Sequence, residues 1–281
     1  MHDRRLLAVA AAGLLFAASA EAQDWSTIRI ATEGAYAPWN FTTADGSLAG
    51  FEIDLMDDLC ERMNAECELV AQAWDGIIPA LQAGRYDAIM AGMSITDARK
   101  EVISFSRAYV VTPGRFVVTR DSPFADFSTE VDYVQMDEID DEEQATIDAV
   151  VETFRGNVIG VQTATTHENF LRQYLGDDVE IRSYDTQENL DLDLQAGRID
   201  AALASMGYWV PLLESDAGQD LIMVGPSFAG GPFGAGVGVG IRQADTGLVD
   251  KFDEAITAAL EDGTISALAE QWFGFDSAAR D

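Results

Sequence analysis

Leu81-Gln82-Ala83-Gly84-Arg85-Tyr86-Asp87-Ala88 returns 113 residues later as Leu194-Gln195-Ala196-Gly197-Arg198-Ile199-Asp200-Ala201, with seven of the eight residues identical. Each copy ends a helix at a glycine C-cap and enters a buried strand at Asp-Ala. The first strand continues Ile89-Met90-Ala91 and the second Ala202-Leu203-Ala204. Apolar runs this short, set between helical patterns, read as strands of a parallel sheet. Two copies of one unit imply two lobes.

The flanking sequence extends the pattern. Ile28–Thr32 reads as a strand, and Phe51, Leu55, Leu59 and Met63 share one face of a helix over Phe51–Met63. Leu69–Ala71, Ile89–Ala91 and Phe116–Thr119 read as strands, with a helix near Asp75–Ala83. The second lobe has strands at Val158–Val161, Glu180–Tyr184 and Ala201–Ala204, with helices His167–Leu175 and Gln187–Ala196. A strand at Val237–Ile241 and helices near Leu248–Leu260 and Ile265–Trp272 close the chain. Strand-helix alternation predicts an α/β fold with mostly parallel sheet. The acidic run Asp137–Glu143 reads as a solvated loop or a helix lead-in rather than a metal site.

The length of 281 residues suits one large domain or two lobes, and 48% hydrophobic residues can fill their cores. Lys and Arg number 17 against 49 Asp and Glu, a net charge of −32. Such a chain repels phosphate backbones and anionic membrane surfaces, so nucleic-acid binding is excluded. Two His and two Cys are too few for most zinc sites, and no metal or cofactor is expected.

Arg4 and Arg5 precede an apolar run from Leu6 to Ala18, followed by Ala20-Glu21-Ala22. The run is too short to cross about 30 Å of hydrocarbon, so residues 1–22 read as a cleavable secretory signal peptide and the mature chain as periplasmic. In that oxidising compartment Cys60 and Cys67, the only cysteines, are expected to pair. One continuous helix would hold them about 10 Å apart, too far to bridge. The helix must therefore end near Met63-Asn64 and the chain reverse into a strand at Cys67. A catalytic thiol pair is the other reading, but nothing cationic is placed to activate it.

Several residues suit a binding site. Ser94-Ile95-Thr96-Asp97-Ala98-Arg99 follows the first lobe's buried strand. Backbone amides and a guanidinium at a strand's C-terminal edge make a carboxylate receptor. The same residues also suit an ordinary N-cap and a surface Arg. Gly160-Val161-Gln162-Thr163-Ala164-Thr165-Thr166 repeats the arrangement in the second lobe, again compatible with simple capping. Glu33, Tyr36, Trp39 and Trp74 can supply a cation-binding carboxylate and aromatic walls, or be core residues.

The combination is more specific than its parts. Ile28 to Trp39, Gly50-Phe51-Glu52-Ile53-Asp54-Leu55, Trp74 to Leu81, Tyr86 to Met90, Met93 to Arg99, Glu261-Asp262-Gly263-Thr264-Ile265 and Gln271-Trp272-Phe273 together resemble the polar amino-acid-binding proteins of bacterial ABC importers. Thr32-Glu33-Gly34, the Trp-Asp-Gly-Ile segment, the acidic insertion before Gly160 and Gly230–Gly234 look most like the opine binders for nopaline and octopine. The Cys60/Cys67 pair is similar to that of the lysine/arginine/ornithine and histidine binders.

The resemblance implies a two-lobe periplasmic binding protein fold with a two-strand hinge and the ligand between the lobes. Lobe 1 should comprise 24–112 and 228–281, and lobe 2 should span 113–227. By position, Arg99 should grip a ligand carboxylate, helped by Ser94 and the Gly92 backbone, with Gln162, Thr165 and Thr166 contributing from lobe 2. Trp74 should stack on the ligand stem, Tyr36 should line the site, and Glu33 sits where basic-amino-acid binders place an acid for a distal cation. Ser205 departs from the pattern, because free-amino-acid binders carry an Asp there to pair the α-ammonium. A neutral Ser favours an N-substituted amino acid such as an opine, and Ala91 and Gly92 leave room for a bulkier ligand.

The resemblance thus implies a non-enzymatic, monomeric solute-binding protein that delivers a basic amino acid or opine to a membrane ABC permease. The alternatives are a dehydratase-like enzyme on the same fold, for which His167 is the only cleft histidine available, and a ligand-sensing receptor component with a separate membrane partner.

Overall fold

The computed structural model describes residues 24–280, and the expected signal peptide at 1–22 lies outside them. Two sheets organise the chain. In the first, the order is Glu66–Ala71, Thr27–Thr32, Ala88–Ile89, Gly240–Ile241, Ser104–Phe105. In the second it is Glu180–Tyr184, Val158–Gln162, Ala201–Ser205, Gly114–Thr119, Leu221–Ala229, Tyr133–Gln135. The first three strands of each are parallel to one another. Beyond them Gly240–Ile241 and Gly114–Thr119 run antiparallel to both neighbours. The sheets are therefore more mixed than expected, and the direction reverses at strands that adjoin the passages between lobes.

The repeated octapeptide does the same work twice. The Asp87 and Asp200 amides donate to the carbonyls of Arg29 and Val158, each at 2.8 Å. Their carboxylates accept from the amides of those same residues, at 3.0 Å for Arg29 and 2.8 Å for Val158. Each aspartate thus locks the start of its strand to the first strand of its lobe. Gly84 and Gly197 close the preceding helices at φ +72° and +65°, a conformation glycine adopts without strain.

Helix Phe51–Met63 forms as read, with Glu52 and Asp54 in its first turn and Asn64 as a left-handed C-cap. The reversal brings Cys67 beside Cys60, and the disulfide spans a Cα–Cα distance of 6.2 Å. The apolar face packs Phe51, Leu55 and Leu59 against Phe252, Ile256, Ile265 and Phe273. The C-terminal helices Thr246–Glu261 and Thr264–Phe273 therefore complete the first lobe, which is discontinuous in sequence. The second core gathers Phe116, Phe154, Ile159, Phe170 and Phe228, with Leu190, Leu194, Leu203 and Trp209 on the sheet's other face.

Some elements differ from expectation. The acidic run leads into helix Asp141–Phe154, where Asp140 and Glu143 form a capping box. Of the strand expected at Val237–Ile241 only Gly240–Ile241 joins the ladder, while Val237 bridges Ser94 and Val110. The chain also returns to the first lobe later than 228. Leu221–Ala229 continues in the second sheet to pair Ala229 with Gln135, and the Phe233 ring packs on Phe170 at 5.0 Å. The passage back lies between Phe233 and Val237, where the Val110–Val237 bridge joins the two crossing segments.

Candidate functional site

The carboxyl ends of the parallel strands of both lobes face one cleft, the usual place for a ligand in an open α/β sheet. Thr27–Thr32 delivers Glu33 and Tyr36, and Ala88–Ile89 leads to Gly92, Ser94 and Arg99. Trp74 comes from the turn before helix Ile77–Gln82. Across the cleft, Val158–Gln162 ends in Gln162 and leads to Thr165 and Thr166, and Ala201–Ser205 ends in Ser205. All ten residues singled out from the sequence line one cavity, which encloses about 780 Å³ including space open to solvent.

Arg99 supplies the cation of this wall. Nη1 donates to the Ser94 carbonyl at 2.9 Å, and Nη2 reaches the Ala164 carbonyl of the other lobe at 3.2 Å. Its guanidinium sits 5.3 Å from the Trp74 ring centroid, a cation–π contact. Burial lowers its pKa to about 10, so the charge persists at neutral pH. Trp74, expected to stack on a ligand stem, lies against the Arg99 guanidinium and donates Nε1–H to the Thr163 carbonyl at 3.0 Å.

Glu33 stands on another part of the wall. Its Oε1 accepts from Gln162 Nε2 across the cleft at 2.8 Å. Burial pushes its pKa up to about 7, against the Gln162 hydrogen bond and with help from the Glu52 and Glu188 charges. Tyr36 stacks on Tyr208 of the second lobe with centroids 4.9 Å apart. Ser205 Oγ donates to Thr112 Oγ1 at 2.8 Å and accepts from the Gly207 amide at 3.1 Å, capping helix Met206–Glu214.

Two expected contacts are spent elsewhere. The Gly92 amide donates to Glu52 Oε1 at 2.7 Å, so it points into the lobe and not toward a ligand. Thr165 Oγ1 donates to the Gln162 carbonyl at 2.7 Å and caps Glu168 N at 3.2 Å, so for this hydroxyl the capping reading holds. Sequence reasoning missed the walls built by the crossing segments: Val111, Thr112, Ala229, Gly230, Phe233, Gly234, Gly236 and Val237. Ala229, Gly230, Gly234 and Gly236 carry little or no side chain and so leave little signature in the sequence. His167 lines the cavity, with its ring 5.6 Å from Phe233. Burial and the Arg99 charge lower its pKa to about 4, so it is neutral at pH 7.

The described residues lining the cavity thus carry one acid, Glu33, one cation, Arg99, and a neutral His167. Such a wall suits a solute with an anionic and a cationic end.

Comparison with known proteins agrees with this geometry. The chain is 41% identical to the octopine-binding periplasmic protein of Rhizobium meliloti, over 97% of this chain and 98% of that one. It is 34% identical to the L-arginine-binding protein of Pseudomonas aeruginosa, over 89% and 88%. Among solved structures, a periplasmic His/Glu/Gln/Arg/opine family-binding protein from Silicibacter pomeroyi in complex with lysine superposes with a TM-score of 0.71 at 35% identity, covering 90% of this chain and all of that one. An ancestral amino-acid-binding protein, a precursor of cyclohexadienyl dehydratase, gives 0.70 at 26% identity, covering 88% of this chain and 96% of the other. These relatives share the two-lobe fold, and those named by location are periplasmic. With its model matched over residues 28–275, the family is settled: this solute-binding chain belongs to the bacterial extracellular solute-binding proteins, family 3.

Proposed function

We propose that this protein binds an arginine-type opine in the periplasm and passes it, as a monomer, to a membrane ABC permease. The charge inventory of the cleft carries the reading. Glu33 serves a guanidinium or ammonium at one end of the ligand, and Arg99 with Ser94 a carboxylate at the other. Thr166 faces the ligand from the second lobe, and Gln162 reaches across from that lobe to Glu33. A free basic amino acid brings two cations to this single acid, and the side chain at 205 is a neutral Ser. An opine carries a secondary ammonium flanked by two carboxylates, so it needs no further acid from the protein. The 41% identity to an octopine-binding protein points the same way.

Isothermal titration with octopine, nopaline, arginine and lysine tests the reading. An opine is expected to bind more tightly than free arginine; tight arginine binding with no opine binding refutes it. The second reading, a free basic amino acid, is favoured by the likeness to an L-arginine-binding protein and to a lysine complex. Export through residues 1–22 belongs to the proposal and is tested by N-terminal sequencing of the secreted chain. The chain acts without turnover: His167 is neutral and beside a cation, poorly suited to accept a proton. Recovery of unaltered ligand after prolonged incubation checks this.

A further inference from the structure

The segment Gly50-Phe51-Glu52-Ile53-Asp54-Leu55 contributes no side chain to the cavity wall, yet it places a fully buried carboxylate beneath the cavity. Glu52 Oε2 accepts from Asn40 Nδ2 at 2.7 Å. Its Oε1 accepts from the Gly92 amide at 2.7 Å and from the Tyr109 hydroxyl. Asn40 is buried as well, and its Oδ1 accepts from the Gly34 amide at 2.8 Å. One carboxylate thus joins three parts of the binding apparatus. Gly34 follows Glu33 and holds φ +74°, and Gly92 lines the cavity at φ +60°. Tyr109 lies next to Val110, where the crossing segments meet, and its amide donates to Val237.

We infer that Glu52 is a positioning residue that sets the cation end of the cleft through Asn40 and Gly34, and the cavity floor through Gly92, without touching ligand. This rests on the reading of Glu33 as the acid that meets a ligand cation. Filling a helix start needs no carboxylate, since an apolar side chain would pack at lower desolvation cost. What an apolar side chain cannot do is satisfy three buried donors at once, two of which fix the network to glycines at positive φ.

The directionality of these bonds supplies the test. In Glu52→Gln, an amide opposes the Asn40 amide. Either two NH₂ groups face each other, or Asn40 turns over and abandons the Gly34 N–H, or the glutamine turns over and sets its NH₂ against the Gly92 N–H, so either the Gly34 or the Gly92 amide must shift. Affinity for octopine and arginine is expected to fall about tenfold, and preference for arginine over neutral citrulline by a similar factor. Asn40→Asp/Glu52→Gln exchanges carboxylate and amide, gives every donor an acceptor again, and is expected to restore both quantities within about threefold. NMR reads the same path without ligand: the Gly34 amide, which does not touch Glu52, or the Gly92 amide should shift in Glu52→Gln and return in the exchange variant. Should Glu52→Gln not fold, Asn40→Ala cuts the same path and is expected to lower the arginine-over-citrulline preference. If folded Glu52→Gln has only a lower melting temperature, with unaltered preference and with the Gly34 and Gly92 amides both unmoved, the inference is overturned. If wild type binds neither arginine nor octopine, the functional reading fails instead, and the Gly34 and Gly92 amides still decide the role of Glu52.

Discussion

The pH dependence of binding offers a strict test of Glu33, the acid on the cavity wall. Its carboxyl is pushed up to about 7 by burial, with the Glu52 and Glu188 charges adding to the rise and the Gln162 hydrogen bond opposing it. A ligand cation favours the ionised form. Affinity for a cationic ligand should therefore rise with pH through about 7 and level off above. Each pH unit below the free-state pKa costs about tenfold, so lowering the pH from 8 to 5 should weaken binding about 100-fold. The sign for stability is the reverse. A carboxyl whose pKa is raised on folding stabilises most fully below its unfolded value near 4.5, and that contribution is lost as pH rises through about 7. Without ligand the melting temperature should thus fall toward pH 8, while the ligand-induced increase grows. Asp191, raised to about 6 by burial, adds to the first trend but does not line the cavity. Calorimetry at pH 6 in buffers of different ionisation enthalpy should find close to one proton released per ligand, and none in Glu33→Gln. Equal affinity at pH 5 and pH 8, or proton release that survives in Glu33→Gln, refutes the assignment.

Three further outcomes follow from the site. Arg99→Ala should weaken carboxylate-bearing ligands about 100-fold or more while the chain stays folded, because a charge-assisted pair is lost in a shielded cleft; near-unchanged affinity by calorimetry would remove Arg99 from the site. Reducing Cys60–Cys67 frees a loop closed over seven residues. It should lower stability by roughly 2–3 kcal/mol but leave affinity nearly intact, which melting and titration with and without reductant will show. Ser205→Asp keeps a group able to cap Gly207 and adds a carboxylate beside Thr112. It should move the preference toward free arginine by about 2–4 kcal/mol, or 30- to 1000-fold; an unaltered arginine-to-octopine ratio in paired titrations would place the α-nitrogen elsewhere.

What was legible in the sequence had local causes. Helix Phe51–Met63 was readable because its apolar spacing, its acidic first turn and the cysteine geometry all demand the same ends. The repeated octapeptide marked both lobes because one aspartate does one job in each. Leu221–Ala229 escaped because Pro226 and Gly225 argue against a strand; the register shift between Val224 and Ser227 absorbs them. Helix Met206–Glu214 was hidden by Pro211. Every wall residue expected from the sequence lines the cavity, while the Gly92 amide and the Thr165 hydroxyl also bond to Glu52 and Gln162 of their own lobes. Which acceptor an amide finds depends on partners far away in sequence, here Glu52, and no local pattern encodes it.

The contacts that span the cleft bear on how affinity is set. Arg99 reaches Ala164, Trp74 reaches Thr163, Gln162 reaches Glu33, and Tyr36 stacks on Tyr208. Each pair has one member in each lobe, and Glu33 and Arg99 are the very charges that a ligand would engage. A cation arriving at Glu33 must share or displace the Gln162 amide, and a carboxylate arriving at Arg99 must compete with the Ala164 carbonyl. Binding energy is then a difference between two sets of hydrogen bonds and not the sum of the new ones. Gln162 and the Ala164 carbonyl, the neutral members of these bonds, are the weaker partners, since ion–ion pairs in a shielded cleft exceed ion–dipole bonds. A solute with one cationic and one anionic end replaces both at once, whereas a solute with a single charged end replaces one and leaves the other bridge competing. Discrimination for doubly charged, extended solutes is therefore built into the closing contacts. Gln162→Leu, which removes the competitor for Glu33, should strengthen cation binding but narrow the gap between arginine and a solute with a single cationic end such as butylguanidine. A wider gap would show that Gln162 contacts the ligand directly rather than competing with it.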